Sequence, residues 1–143
     1  MKARDLMKAH NIWACAETSD CRHVAQMMAE HDVGAIPVLD SEGRLEGIIT
    51  DRDLCCRILA CGKSYETPVR DVMTCQVYTC GPDSSLKEIE SLMIEYRIRR
   101  LPVVDEENKL QGFISLSDLA RECHGPLKEH GLAEVLECVS TPA

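Results

Sequence analysis

Residues 34–54 read Gly34-Ala35-Ile36-Pro37-Val38-Leu39-Asp40-Ser41-Glu42-Gly43-Arg44-Leu45-Glu46-Gly47-Ile48-Ile49-Thr50-Asp51-Arg52-Asp53-Leu54. Sixty-five positions later the chain reads Arg99-Arg100-Leu101-Pro102-Val103-Val104-Asp105-Glu106-Glu107-Asn108-Lys109-Leu110-Gln111-Gly112-Phe113-Ile114-Ser115-Leu116-Ser117-Asp118-Leu119. Nine of these 21 positions are identical, among them Pro37/Pro102, Gly47/Gly112 and Asp53/Asp118. The match extends backwards at the same offset: Val24, Met27 and Met28 fall on Ile89, Leu92 and Met93, and Ile12-Trp13 falls on Val77-Tyr78. One residue out of register, Arg4-Asp5-Leu6-Met7 returns as Arg70-Asp71-Val72-Met73. The chain is an internal duplication of a unit of roughly 60 residues, and self-similarity of this kind governs the architecture.

Each copy carries the same local signals. Short apolar runs at 12–15 and 77–80 predict strands. Polar starters, Thr18-Ser19-Asp20 and Asp83-Ser84-Ser85, precede apolar residues at helical spacing: Cys21, Val24, Ala25, Met28 and Leu86, Ile89, Leu92, Met93. Strands are predicted at 35–39 and 45–49 (100–104 and 110–114), with turns at 41–43 and 106–108, then second helices at about 51–60 and 116–123. The order is β-α-β-β-α, twice, which is an α+β fold. A lone unit of this size is marginal, so the two copies are expected to pack sheet to sheet around a pseudo-two-fold axis. The organisation expected is a first repeat over 1–62, a linker over 63–70, a second repeat over 71–124 and a tail over 125–143. Leu127, Leu132, Val135 and Leu136 give that tail the spacing of a short helix.

Composition narrows the partners. The 143 residues carry 16 Lys+Arg against 24 Asp+Glu, a formal net charge of −8. Such a chain has no general attraction for nucleic-acid backbones or anionic membranes. Aromatics are only 3%, too few for a base-stacking platform. No apolar run approaches the roughly 18–20 residues of a membrane span, and Met1-Lys2-Ala3-Arg4-Asp5 leads into no secretory signal. Nine cysteines, an odd number without a C-x-x-C pair, read as reduced thiols of a cytoplasmic protein. Cys15, Cys21 and Cys80 occupy positions suited to a small apolar side chain. Cys55, Cys56 and Cys61 form the nearest approach to a metal cluster, but closely paired ligands are lacking and no metal is expected. The histidines at 10, 23, 31, 124 and 130 stand at no catalytic spacing to an acid or serine, so no enzyme is expected.

The doubled apolar-Pro-Val strand and the doubled Gly-x-x-[Ser/Thr]-x-x-Asp, in β-α-β-β-α order, resemble the paired cystathionine-β-synthase-type (CBS) domains known as a Bateman module. The resemblance covers about residues 3–123. Gly47-Ile48-Ile49-Thr50-Asp51-Arg52-Asp53 looks like the form of stand-alone bacterial members. Gly112-Phe113-Ile114-Ser115-Leu116-Ser117-Asp118 looks like the last repeat of the γ subunit of AMP-activated protein kinase. The resemblance implies a non-catalytic regulatory module, commonly a homodimer, that binds an adenosine-containing ligand (AMP, ADP, ATP, NAD or S-adenosylmethionine) in clefts between the repeats. It would signal occupancy to a separate regulated protein.

Within that resemblance Thr50 and Ser115 would take phosphate, and Asp53 and Asp118 the ribose hydroxyls. Hydroxyls at a helix start add donors to its free N–H groups and positive dipole end. The same spacing is also that of a capping box, which serves helix stability alone, and one role does not exclude the other. Arg97, Arg99 and Arg100 form the local basic cluster before Leu101. Alternation allows only one of the adjacent pair to face a cleft, and Arg100 is the counter-ion expected. The expected nucleotide site is therefore Thr79, Cys80, Arg100, Leu101, Pro102, Ser115, Ser117 and Asp118. A weaker second cleft would comprise Ala14, Cys15, Ala35, Ile36, Pro37, Thr50, Arg52 and Asp53, because Gly34-Ala35 replaces the arginines and Arg52 lies between two carboxylates. Ala14, Cys15, Thr79 and Cys80, with Ile36 and Leu101, are the candidates for the base; ordinary core is the competing reading for them. Against the sensor stands a structural dimerisation or interaction module with vestigial clefts. A redox or metal sensor built on the cysteines is a third class.

Overall fold

The structure is a computed structural model that describes residues 1–122, 133 and 135–137. In chain order the elements are α1 (Ala3–Leu6), β1 (Cys15–Ala16), α2 (Cys21–His31), β2 (Ala35–Leu39), β3 (Leu45–Thr50), α3 (Asp51–Asp53), a π-helical segment (Leu54–Leu59), a 3-10 turn (Val69–Asp71), α4 (Leu86–Tyr96), β4 (Arg100–Val104), β5 (Leu110–Ser115) and α5 (Leu116–Glu122). The fold is α+β, with two small sheets and their helices. The chain forms two compact units: a central one, Trp13–Val77, and a terminal one made of Met1–Ile12 and the chain from Tyr78 onward.

In the central unit the sheet order is β1-β2-β3, with β1 parallel and β3 antiparallel to β2. Ile36, Val38 and Ile49 are fully buried from the sheet, and Val24 and Met28 pack on them from α2. Asp20 caps α2 by accepting from the His23 N–H at 2.7 Å. The helix ends at Asp32 in the left-handed region (φ 52°), and the Val33 N–H returns to the Met28 carbonyl. The terminal unit repeats this design. Ser85 and Glu88 close a capping box on α4, and Arg97 (φ 52°) ends it. Ile89 and Met93 meet Leu101, Val103 and Ile114 in its core. β4 and β5 pair antiparallel with the register of β2 and β3, including the irregularity near the turn. The predicted strand at 77–80 is reduced to a single parallel bridge, Cys80 to Val103.

The compact units cut the chain elsewhere than the sequence repeats do. The edge of β3 is completed by Thr74, whose N–H and carbonyl pair with Ile48 at 2.9 and 3.0 Å. The equivalent edge of β5 is completed from the N-terminus, where Lys8 pairs with Phe113 at 3.0 and 3.1 Å. The two Arg-Asp-x-Met copies therefore serve different units: Met73 lies over Gly47, and Met7 over Gly112. A side chain at either glycine would collide, which explains the doubled glycine. The segment 63–70, expected as a linker, is built into the central unit. Thr67 and Tyr65 carbonyls accept the first N–H groups of α2, and Val69 is fully buried. At the C-terminus, residues 133 and 135–137 are helical and Val135 is buried in the terminal core, while Leu127 and Leu132 lie outside the described residues.

Candidate functional site

Each β-strand-to-helix junction is a reciprocal hydrogen-bonded loop. At the end of β3 the Asp53 N–H donates to Thr50 Oγ1 at 3.1 Å, and the Thr50 N–H donates to Asp53 Oδ2 at 3.0 Å. At the end of β5 the Asp118 N–H donates to Ser115 Oγ at 3.3 Å, and the Ser115 N–H donates to Asp118 Oδ2 at 2.8 Å. The next backbone N–H is anchored across the sheet in both copies: Asp51 to the Gly34 carbonyl at 3.0 Å, Leu116 to the Arg99 carbonyl at 2.9 Å. Both Ser/Thr-x-x-Asp pairs thus form capping boxes, satisfying donors that a helix start leaves open.

The two junctions differ in electrostatics. Asp118 is buried, and Ser115 Oγ also donates to it at 2.5 Å and lies 2.7 Å from Ser117 Oγ. Its other oxygen, Oδ1, holds Lys8 Nζ at 3.3 Å and the Arg121 guanidinium. Burial pushes this carboxyl up, but the Ser115 donors and the Lys8 ammonium outweigh that and hold it below the usual carboxylate range. Asp53 is less enclosed and has a single ion pair among the described residues, to Arg57 at 3.7 Å. Arg57 also donates to the Val72 carbonyl at 2.9 Å. Lys8, Arg57 and Arg121 were not among the residues singled out from the sequence. Helical spacing could have found Arg57 and Arg121, at i+4 and i+3 from their acids. Lys8 had no such signal, because only the N-terminal strand edge brings it to β5.

Arg100 is in register opposite Ser115, as Ala35 is opposite Thr50. Its guanidinium is exposed and makes no hydrogen bond or ion pair among the described residues. Arg100, Ser115, Ser117 and Asp118 are thus gathered at one end of the β4–β5 pair. Arg52 is exposed, and its N–H donates to Asp51 Oδ1 at 2.9 Å. Other expected contacts are held in the cores. Ile36 and Leu101 have no exposed surface and pack in the two cores, and Pro37 and Pro102 are buried beside them in sequence. Cys15 and Cys80 are buried too, and burial pushes each thiol up to about 11. Ala14 and Thr79 are half-buried. Thr79 and Cys80 line two clefts of about 570 and 550 Å³, but Glu88 is in both, Glu95 in one, and Asp83, Asp105 and Glu106 in the other. Acids outnumber the one cation, Lys87 in the larger cleft, and neither cleft includes Arg100 or Ser115.

Comparison with known proteins agrees with the duplicated α+β fold. The family model for the CBS domain matches residues 3–60 and 69–125. The chain is 43% identical over 99 residues to the CBS domain-containing protein YhcV of Bacillus subtilis, covering 69% of each. It is 32% identical over 141 residues to hypoxic response protein 1 of Mycobacterium tuberculosis, covering 98% of this chain and 94% of that one. The crystal structure of hypoxic response protein I with two coordinated zinc ions superposes with a TM-score of 0.77 at 34% identity, covering 88% and 100% of the two chains. CBSX2 in complex with AMP gives 0.76 at 26% identity, covering 85% and 93%. The CBS domain pair of MJ0100 with 5-methylthioadenosine and S-adenosyl-L-methionine gives 0.74 at 25%, covering 85% and 98%.

Proposed function

From the chain's membership of the CBS-domain family, in which it carries two copies, we propose that it is a non-catalytic cytoplasmic regulatory module that binds an adenosine-containing ligand on its terminal unit. The observation that carries this reading is the exposed Arg100 guanidinium, without an ion-pair partner among the described residues, set in register with Ser115. In an acidic chain such a cation is available to a phosphate or carboxylate, and the Ser115 and Ser117 hydroxyls beside it supply further donors. Asp118 is held ionised, so it can accept from ribose hydroxyls while keeping its capping bond. The central unit has Ala35 in place of Arg100 and binds more weakly or stays empty. Complexes of its structural neighbours with AMP, S-adenosylmethionine and methylthioadenosine support the ligand class. The same reading makes the protein a homodimer that passes occupancy to a separate regulated protein, through differential affinity of the ligand for two states.

A second reading is a structural interaction module with vestigial clefts. It is favoured by the capping boxes, which satisfy Thr50, Asp53, Ser115 and Asp118 without any ligand. Thermal unfolding of desalted protein with AMP, ADP, ATP, NAD and S-adenosylmethionine separates the two. Ligand at 100 times its dissociation constant adds about 2.7 kcal/mol, several degrees of midpoint for a chain of this size. A shift with one adenosine ligand that Arg100→Ala removes supports the sensor. Protein free of bound nucleotide that shifts with none of them overturns it in favour of the interaction module.

A further inference from the structure

We propose that Cys56 and Cys61 form a reversible dithiol–disulfide switch at the exposed end of the helix that follows β3, with a low-molecular-weight disulfide as oxidant. Three of the nine cysteines, Cys55, Cys56 and Cys61, fall within seven residues, and all three are exposed and free. What selects a pair among them is the change of helix type. In an α-helix, residues five apart lie about 140° from one another around the axis. Here the helix leaves the α form after Asp53 and continues as a π-helix, with the Ala60 N–H donating to the Cys55 carbonyl at 2.9 Å. The i-to-i+5 winding brings residues five apart onto one face.

Cys61 shows the consequence: its Sγ donates to the Cys56 carbonyl at 3.4 Å, one turn below. A disulfide spans a Cα separation of roughly 4.4–6.8 Å, and the 3.4 Å contact of Cys61 Sγ with the Cys56 carbonyl holds the two residues one turn apart. Cys55 is one residue round the helix from that face. Gly62 (φ +66°) then turns the chain, and the Lys63 N–H caps the Ile58 carbonyl at 3.0 Å, so Cys61 is held at the helix end. Among the described residues no group of three His, Cys, Asp or Glu side chains is placed to hold a metal ion, so the chemistry this cluster supports is thiol exchange.

The Cys61 S–H is directed to the Cys56 carbonyl, so Cys56 is the thiol that attacks first. The Cys56 thiolate displaces one thiolate from the small disulfide, forming a mixed disulfide. Cys61, on losing its proton, attacks the Cys56 sulfur and expels the second thiolate. The protein loses two electrons and two protons, and the small disulfide becomes two thiols. The bond would brace the last turn across Arg57, the residue that pairs with Asp53 and holds the Val72 carbonyl.

Trypsin reads the outcome directly, because it cuts after Arg52, Arg57 and Lys63. Full-length protein is treated with oxidised glutathione, free thiols are alkylated, and the digest is examined by mass spectrometry without reduction. The expected product is the peptide 53–57, alkylated at Cys55, joined to the peptide 58–63, two hydrogens lighter than the sum of those two and released by dithiothreitol. It forms in wild type and in Cys55→Ser, and falls by about tenfold or more in Cys56→Ser and is lost in Cys61→Ser. Persistent glutathione adducts without the joined peptide overturn the proposal. So does a joined peptide that survives Cys56→Ser, or one found only in covalent dimers.

Discussion

Replacing Asp118 by asparagine removes one charge from a carboxylate that is almost fully enclosed, and replacing Asp53 does the same at the matching position of the other copy. In sequence the two substitutions are equivalent; in structure they are not. The Asp118 side chain is 5% exposed and serves Ser115, Lys8 and Arg121, whereas that of Asp53 is 12% exposed and has, among the described residues, the capping bond and Arg57 at 3.7 Å. Asparagine keeps an acceptor for the backbone N–H but gives up the charge assistance, part of the roughly 1.5–3 kcal/mol of a hydrogen bond to an ionised group. The ion pairs with the mostly exposed Lys8 and Arg121 add about 0.2–1 kcal/mol each. Asp118→Asn should therefore cost about 2–3 kcal/mol, from the lost charge assistance and the two pairs together. Asp53→Asn should cost about 1 kcal/mol on the same reckoning. At about 4 °C per kcal/mol for a chain of this length, the unfolding midpoints should fall by roughly 10 °C and roughly 4 °C.

Acid supplies a second check. Because the folded carboxyl of Asp118 sits below its ordinary value, its contribution is present above about pH 4, the ordinary aspartate pKa. It is lost as the pH falls through the folded value. The gap between wild type and Asp118→Asn should close as the pH is lowered from 7 towards 2. Equal losses in the two variants at pH 7, or a gap that does not narrow in acid, would refute the assignment of Asp118 as the more heavily engaged carboxylate.

The two doubled glycines should respond differently to rescue. A methyl on Gly112 would lie 2.5 Å from Met7 Sδ and 2.9 Å from Met7 Cβ, so Gly112→Ala should cost about 1–3 kcal/mol of overpacking and recover more in combination with Met7→Gly, which removes both atoms, than with Met7→Ala, which keeps the Cβ. A methyl on Gly47 would lie 2.8 Å from both Met73 Sδ and the Thr74 carbonyl, so Met73→Ala should leave most of the Gly47→Ala defect; paired melting curves decide this. The buried thiols make an alkaline prediction. Cys15 and Cys80 rise from 9.0 to about 11, so their stabilising contribution is complete below about pH 9 and falls away as the pH rises through 11. Unfolding of the reduced protein between pH 8 and 11 should show that loss, weakened in Cys15→Ala/Cys80→Ala, and both thiols should be the slow class in alkylation at pH 8.

The strands over 35–39 and 100–104, the helices from Cys21 and Leu86 and the caps at Asp20 and Ser85 were legible because each depends on neighbours in the chain. Apolar periodicity and short-range hydrogen bonding reveal them wherever the segment is placed. The capping reading of Thr50-x-x-Asp53 and Ser115-x-x-Asp118 was legible for the same reason. The complete burial of Ile36 and Leu101 was not legible, because it depends on how the helices cover the sheets. The π-helical segment was not legible, since the pattern over 51–60 fits an ordinary helix equally well.

The sequence by itself determined the duplication, the family and the order of the main helices and strands from Cys21 to Thr50 and from Leu86 to Ser115. These follow from repeated identities and local periodicities that need no long-range contact to be seen. Only the tertiary structure decided that Met1–Ile12 completes the unit containing the second copy, that 63–70 belongs to the core of the first, and that Lys8 reaches Asp118. The two Arg-Asp-x-Met segments are near-identical, so nothing local distinguishes which sheet edge each will fill. The choice lies in long-range backbone pairing, Thr74 with Ile48 on β3 and Lys8 with Phe113 on β5, and the ion pair of Lys8 with Asp118, for which Asp53 has no counterpart among the described residues, follows from it.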